Sequence, residues 1–165
     1  ETAAFFWANR LFCVCPPRIA WGTNPPWPYD DDPASTISDA LIAYSRALLR
    51  RYLTDYPAEV AEAEQSELPV PTSFRERHSD WFDQFAVLFT GGITAIFLEE
   101  TFGKPEADAF IVMAHRAHGF KVLPGVVDVL RNYLRGVSQG KYQGFIEYMP
   151  LFRNSLRIAQ KIKDL

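Results

Sequence analysis

The placement of proline is the feature that most constrains the fold of this chain. Six prolines fall within residues 16–33. Because proline fixes φ and has no backbone N–H to donate, this stretch is not expected to be helical. The N-terminal segment ETAAFFWANRLFCVC is rich in aromatic residues. Together with the proline-rich stretch, it predicts an extended, turn-rich arm over residues 1–35. From Ser35 onward apolar residues recur at helical spacing, so a helical domain is predicted over residues 36–165.

This domain is predicted to be all-α, with five or six helices and no convincing strand pattern. Ser35 or Thr36 is the candidate N-cap of the first helix, which Pro57 should interrupt. A short helix and a loop should follow. The remaining helices are expected at residues 79–101, between Gly103 and Gly119, at 124–134 and at 142–163.

Gly91 and Gly92 lie in the middle of the long apolar helix predicted at residues 79–101. Each glycine costs up to about 1 kcal/mol relative to alanine in a helix interior, so a compensating gain is expected. Close approach of another helix or of a flat ligand would supply that gain. A break in the helix at these residues is the alternative.

Composition narrows the classes of function. The chain has 165 residues, 48% hydrophobic and 15% aromatic, which suits one domain with a substantial core. The net charge of −3 gives no general basic field, so nucleic acid is not an expected partner. The longest apolar run, residues 85–98, is shorter than the roughly 20 residues that cross a bilayer. We therefore expect no transmembrane segment and a soluble or, at most, peripheral protein.

Two features near the N-terminus bear on processing and on cysteine chemistry. Because the first residue is Glu1 and not methionine, we expect a processed or trimmed chain, and the sequence predicts no compartment. Cys13 and Cys15 are too close in sequence for an unstrained mutual disulfide, and no second cysteine cluster completes a zinc site. They are expected to be unpaired thiols or small core residues.

Motifs that carry catalytic chemistry are weak in this sequence. It has neither a phosphate-binding loop nor a GxSxG nucleophile motif. The acidic run YDDDP has no second acidic cluster at a fixed helical spacing, which favours a solvated turn over a cation site. We therefore expect a binding protein more than an enzyme with its own acid–base groups.

The stretch MAHRAHGF places His115 and His118 three residues apart, on one face of a helix and close to its end. One interpretation is that they are ligands of haem or of another metal. The other is that they are solvated side chains near the negative end of the helix dipole. No HExxH or CxxC motif supplies further metal ligands, although Glu99 and Glu100 could approach from another helix.

The order of the predicted helices over residues 36–165 resembles the globin superfamily. The resemblance rests on the pair YP at residues 56–57 after ALIAYSRALLRRYLTD, and on FLEETFGKPEADAFIVMAHRAHGF, which is similar to the globin link from distal to proximal helix. The 50 residues after His115 also match the length of the last two globin helices. In contrast to globins, the corner at residues 64–68 has no aromatic residue, and Phe74 would have to take that role.

The resemblance implies haem-based binding or sensing of a small diatomic ligand such as oxygen. It implies that His115 is the iron ligand, with His118 as the competing choice. Gln84 would face the bound ligand, or His78 would do so if the corner before the distal helix is shorter than in globins. Judged from the neighbouring sequence RERHSD alone, the side chain of His78 is expected to be exposed. Phe85, Leu88 and Phe89 would form the apolar lining that excludes water from the haem pocket.

The alternative function is that of a cofactor-free helical subunit of a larger assembly, docked through residues 1–35. Trp21, Trp27 and Tyr29 have the character of interface anchors in a proline-rich segment. The partner would be another protein or a second copy of this chain. This interpretation predicts an exposed arm and no chromophore in the isolated protein, whereas the globin interpretation predicts a coloured one.

Overall fold

The computed structural model describes residues 2–17, 23–26 and 28–163, and within them the fold is mostly helical. The predicted helical class is confirmed in outline, but seven helices are described where five or six were predicted, and a two-stranded antiparallel sheet precedes them. The strands are β1 (Ala3–Trp7) and β2 (Arg10–Val14). The helices are α1 (Pro33–Thr54), α2 (Pro57–Glu64), α3 (Thr72–Arg77), α4 (Trp81–Phe102), α5 (Lys104–His118), α6 (Leu123–Ser138) and α7 (Phe145–Lys163).

The β-hairpin lies in the region where the sequence predicted only an extended arm. Phe5 pairs with Phe12, and Trp7 pairs with Arg10 next to the turn. The turn has two residues, and both have positive φ, 46° at Ala8 and 62° at Asn9. This is the backbone geometry of a type I′ turn, whose twist matches that of the strands it joins.

Helix α1 starts three residues before the position expected from a Ser35 cap, and four before that expected from a Thr36 cap. Asp32, and not Ser35, caps the helix, because the Asp32 carboxylate accepts a hydrogen bond from the Ser35 N–H at 3.0 Å. Pro33 then occupies the first helical position, where its missing N–H costs nothing. Pro57 interrupts the helix as predicted, since α1 ends at Thr54 and α2 begins at Pro57.

The predicted boundaries of α5 are confirmed. Gly103, with φ of 98°, separates α4 from α5, and Pro105 follows in the first turn of α5. Gly119 ends α5 in the left-handed conformation, with φ of 61°, and its N–H donates to the Ala114 carbonyl. Both conformations are ones that glycine adopts at little cost.

Helix α4 is the centre of the domain and packs against α1, α5 and α6. Phe85 of α4 is fully buried, and its ring centroid lies 5.8 Å from that of Phe145 and 5.2 Å from that of Phe152, both on α7. By length and composition alone α4 could cross a membrane, but 56% of its apolar window is buried inside the domain. That burial is what a core helix shows, and it is compatible with the predicted lack of a transmembrane segment.

The two glycines of α4 lie against α6 and the segment before it. A Cβ atom added at Gly92 would lie 2.6 Å from Leu130 Cδ1, and one added at Gly91 would lie 3.0 Å from Phe120 Cε1. The helix is continuous through both residues. Of the three interpretations of the glycine pair, the close approach of another helix is therefore the one observed.

Candidate interaction surface

The outer face of the hairpin carries four large apolar side chains. We call this surface the aromatic face, and it consists of Phe5, Trp7, Phe12 and Val14. Trp7 is 70% exposed, and Phe5 and Val14 are each at least half exposed. The ring of Phe12 stacks on Phe5 and is tilted against Trp7, with centroid distances of 6.0 Å in both pairs. The face is thus contiguous and internally ordered.

The opposite face of the hairpin rests on α1. Because side chains alternate along a strand, Ala4, Leu11 and Cys13 point away from the aromatic face, and all three are half-buried. The Cys13 thiol donates to the Ala40 carbonyl of α1, with an S···O distance of 3.7 Å. This contact surface fixes the hairpin so that its aromatic face is turned outward.

The two cysteines are unpaired, as the sequence predicted. Their sulfur atoms lie 3.7 Å apart, and neither residue is in a disulfide. Burial raises the pKa of the Cys13 thiol, and the hydrogen bond with Cys15 raises it further. Since the thiolate is the nucleophilic form, a raised pKa makes Cys13 less reactive than an ordinary cysteine.

Only one of the three aromatic residues predicted to bind a partner lies within the described part of the chain. The Tyr29 hydroxyl donates to the Cys15 carbonyl at 2.7 Å, and half of the residue is exposed. This bond holds the segment before α1 against the end of the hairpin. Trp21 and Trp27 lie outside the described residues.

A groove runs along the free edge of β1, and we call it the edge groove. Residues 2–6 form one side of it, and one face of α1, from Asp39 to Thr54, forms the other. Its volume is about 1050 Å³. The sequence did not indicate this groove, because it arises from the way the hairpin lies on α1.

The edge groove is basic at the end nearest the hairpin turn. The Arg50 guanidinium lies 4.4 Å from the centroid of Phe82, and that of Arg51 lies 5.9 Å from the centroid of Phe6. Within the described residues, neither guanidinium forms an ion pair with a carboxylate. Arg46 differs, because it is paired with Asp83. Two cationic groups therefore remain available to an acidic ligand.

Asp83 joins α1 to the start of α4. Its carboxylate binds the Arg46 guanidinium and lies 2.6 Å from His78 Nδ1. Partial burial acts to raise the pKa of Asp83, but the hydrogen bonds with His78 and Arg46 outweigh it and hold this pKa below its ordinary value. His78 is half-buried in this contact, so the prediction that it is exposed was wrong.

The residues predicted to bind haem do not surround a common space. His115 and His118 are exposed in the last turn of α5. The Gln84 amide is used by a 2.9 Å hydrogen bond to the His78 carbonyl. The three residues predicted to form the apolar lining belong to the core: Phe85 and Leu88 are fully buried, and Phe89 packs 4.9 Å from Phe145.

This arrangement does not fit a haem pocket, in which an enclosed histidine and an apolar wall must face the same cavity. The surface of α4 at its glycine pair is covered by side chains and is not open to a flat ligand. Among the described residues, no three histidine, cysteine or acidic side chains are grouped so that they could hold a metal ion. Exposed histidines at a helix end match the solvated interpretation instead.

The aromatic face was missed because its local signal is short. Apolar residues occupy both faces of AAFFW and of RLFCV, so the alternation of apolar and polar residues that marks a half-buried strand is absent. The Ala8–Asn9 turn also lacks the Asn-Gly or Asp-Gly pair that usually marks such a hairpin. Comparisons of the chain with models of known protein families, with curated proteins and with solved structures found no match.

Proposed function

We propose that this chain is a subunit of a larger assembly and docks onto a partner protein through its N-terminal segment, with the aromatic face as the anchor. The observation that carries this proposal is the exposure of Phe5, Trp7 and Phe12 on one side of a hairpin whose other side is fixed to α1. Contiguous exposed apolar surface is typical of interaction sites.

The energetics of aromatic anchors support this role. An aromatic side chain buries roughly 150–250 Å² when it is enclosed, and tryptophan is enriched among residues whose truncation costs about 2 kcal/mol or more of binding free energy. Phe12 already contacts both Phe5 and Trp7 in the free chain. Binding would therefore order few additional rotamers, which lowers its entropic cost.

Charge around the aromatic face favours a different protein over a second copy of the chain. Arg10 lies opposite Trp7 and is exposed, and Arg50 and Arg51 lie in the adjacent edge groove. Self-association through this region would bring guanidinium groups of the two copies together. A partner with acidic residues around an apolar centre has the complementary charge pattern.

The proposal is tested with a partner obtained by affinity capture on the full chain in extracts of its source cells. The captured protein is then produced separately, and its Kd is measured for the wild type, Trp7→Ala and Phe12→Ala. We expect Trp7→Ala to weaken binding by about 30-fold, which corresponds to the loss of a tryptophan anchor.

Met113→Ala is the matched control, because Met113 is 62% exposed but lies on α5. It should change the Kd by less than about twofold, since scattered exposed apolar residues contribute little outside an interface. Equal binding of the wild type and both hairpin variants would overturn the proposal. So would the failure to obtain a partner whose binding depends on any hairpin residue.

A further inference from the structure

We propose that the edge groove binds an extended acidic segment of the partner protein, which adds to β1 as a third strand. This inference rests on the proposed function and specifies how the partner is recognised. Strand addition supplies affinity through main-chain hydrogen bonds, and side chains that enter the groove supply specificity.

The first observation is the unpaired edge of β1. The two-stranded sheet has the order β1–β2, and within the described residues β1 has backbone hydrogen bonds only to β2. The i to i+3 bond of the turn makes Trp7 and Arg10 a hydrogen-bonded pair, and bonded pairs alternate with non-bonded ones. Ala4 and Phe6 therefore direct their N–H and C=O groups towards the groove.

The second observation is the shape of the groove. Five residues of β1 extend about 17 Å at 3.4 Å per residue, and the α1 face from Asp39 to Thr54 extends about 22 Å at 1.5 Å per residue. A segment of five to seven extended residues, about 17–24 Å at 3.4 Å per residue, is therefore comparable in length to both walls. The α1 wall presents Ile42, Ala43 and Ala47, which are small or aliphatic and leave room for a strand.

The third observation is the distribution of charge. Arg50 and Arg51 lie at the groove end near the hairpin turn, whereas Asp39 lies at the other end. An occupant with apolar residues beside Ile42 and Ala43 and carboxylates beside the two arginines has complementary charge. A second copy of β1 does not, since its sequence AAFFW carries no acid.

The binding probe is a fluorescein-labelled octapeptide in which five alternating valines and threonines precede three glutamates. A second probe has the glutamates first, so that both strand directions are covered, and matched probes carry lysines in place of glutamates. Fluorescence anisotropy with the full chain should show binding of at least one glutamate probe and of neither lysine probe. The affinity should fall as salt is added, because the guanidinium groups are exposed to solvent.

Two kinds of variant separate charge from backbone recognition. Arg50→Glu with Arg51→Glu should weaken binding of the glutamate probe by about tenfold or more. Ala4→Pro removes an N–H that faces the groove but no bond within the hairpin, and it should also abolish binding. Lys161→Glu, an exposed change on α7, is the control and should leave binding unchanged. Circular dichroism confirms that each variant is folded.

Hydrogen exchange gives a readout that is specific to strand addition. The amides of Ala4 and Phe6 should gain protection when the glutamate probe binds, and binding without that protection would overturn the inference. Concentration-dependent dimerisation of the chain that Ala4→Pro abolishes would instead assign the edge to a second copy. Trp7→Ala removes an aromatic anchor but does not change the residues that line the groove. The glutamate probe should therefore still bind to this variant, even if the variant no longer binds the partner protein. The two proposals can thus fail separately.

Discussion

Gly92 of α4 lies directly against Leu130 of α6, so that a Cβ atom at residue 92 would be 2.6 Å from Leu130 Cδ1. Real Cβ atoms essentially never come that close to another heavy atom. The hydrogen atom of glycine is therefore what allows the two helices to pack at this distance. The cost of glycine inside α4 is offset by the contact between α4 and α6.

Gly92→Ala should lower the free energy of unfolding, by about 1 kcal/mol. Alanine gains up to about 1 kcal/mol of helix propensity, but overpacking at a close contact costs roughly 1–3 kcal/mol. The side chains of Leu130 and Val126 would have to move to accommodate the added methyl group. Val126 moves less easily, because it lies only 2.8 Å from the added atom and its branched side chain is restricted in χ1. Urea unfolding followed by circular dichroism measures the change.

Gly125→Ala is the matched control for this prediction. Its added Cβ would lie 3.4 Å from Leu156 Cδ1, an ordinary contact, so stability should be unchanged or slightly higher. If Gly92→Ala stabilised the protein as much as Gly125→Ala, the close contact between α4 and α6 would be contradicted.

Asp83→Asn should make stability less dependent on pH in the acid range. Because the folded pKa of Asp83 is lowered, its contribution to stability is complete above the unfolded value of about 3.9 and is lost as the pH falls through the folded pKa. The variant should be less stable by about 1 kcal/mol at pH 7, and this deficit should shrink below about pH 4. The urea midpoints of unfolding of the wild type and the variant, measured between pH 2 and 7, report both effects. This range extends to both sides of the unfolded pKa of Asp83.

Asp108→Asn removes a carboxylate from an exposed pair with Lys104 and serves as the comparison. Such surface pairs contribute about 0–1 kcal/mol, so little change is expected at any pH. An unchanged acid profile in Asp83→Asn would show that the contact with Arg46 and His78 does not stabilise the fold.

Ala8→Gly should stabilise the hairpin, and Ala8→Val should destabilise it. A residue with a Cβ atom costs about 1–2 kcal/mol in the left-handed region, and Ala8 has φ of 46° there. Glycine removes this cost but is more flexible when unfolded, so a net gain of up to about 1 kcal/mol is expected. Hydrogen exchange of the Phe5 and Phe12 amides should slow in the first variant and accelerate in the second. The same direction of change in both would exclude the turn as the cause.

Haem binding, which rests only on the resemblance to globins, is tested by adding haem to the wild type, His115→Ala and His118→Ala. Because both histidines are exposed and the space against α4 is filled, we expect no Soret shift that depends on either residue. Absorption spectra of oxidised and reduced samples measure this. A band that collapses in only one variant would identify an iron ligand and overturn the assignment of these residues to a solvated helix end.

The sequence by itself determined the helix boundaries that proline and glycine set. Others were less accurate: α6 runs to Ser138 and not to residue 134, and α7 begins at Phe145 and not at residue 142. Pro57, Gly103 and Gly119 act through the φ angles that proline and glycine allow, and these are properties of single residues that hold in any tertiary context. The positions of His115 and His118 in the last turn of a helix followed from the same local rules. Helical periodicity likewise placed the long apolar helix within two residues of its ends.

Only the tertiary structure decided which surfaces are enclosed and which are open. Arg46 of α1 and Asp83 of α4 are 37 residues apart, and no local pattern connects them. The edge groove exists because the hairpin lies on α1, and the glycine pair faces α6 and no ligand because of the way the helices cross. These relationships depend on contacts between residues distant in sequence, and their free energies are gained only when the elements pack together.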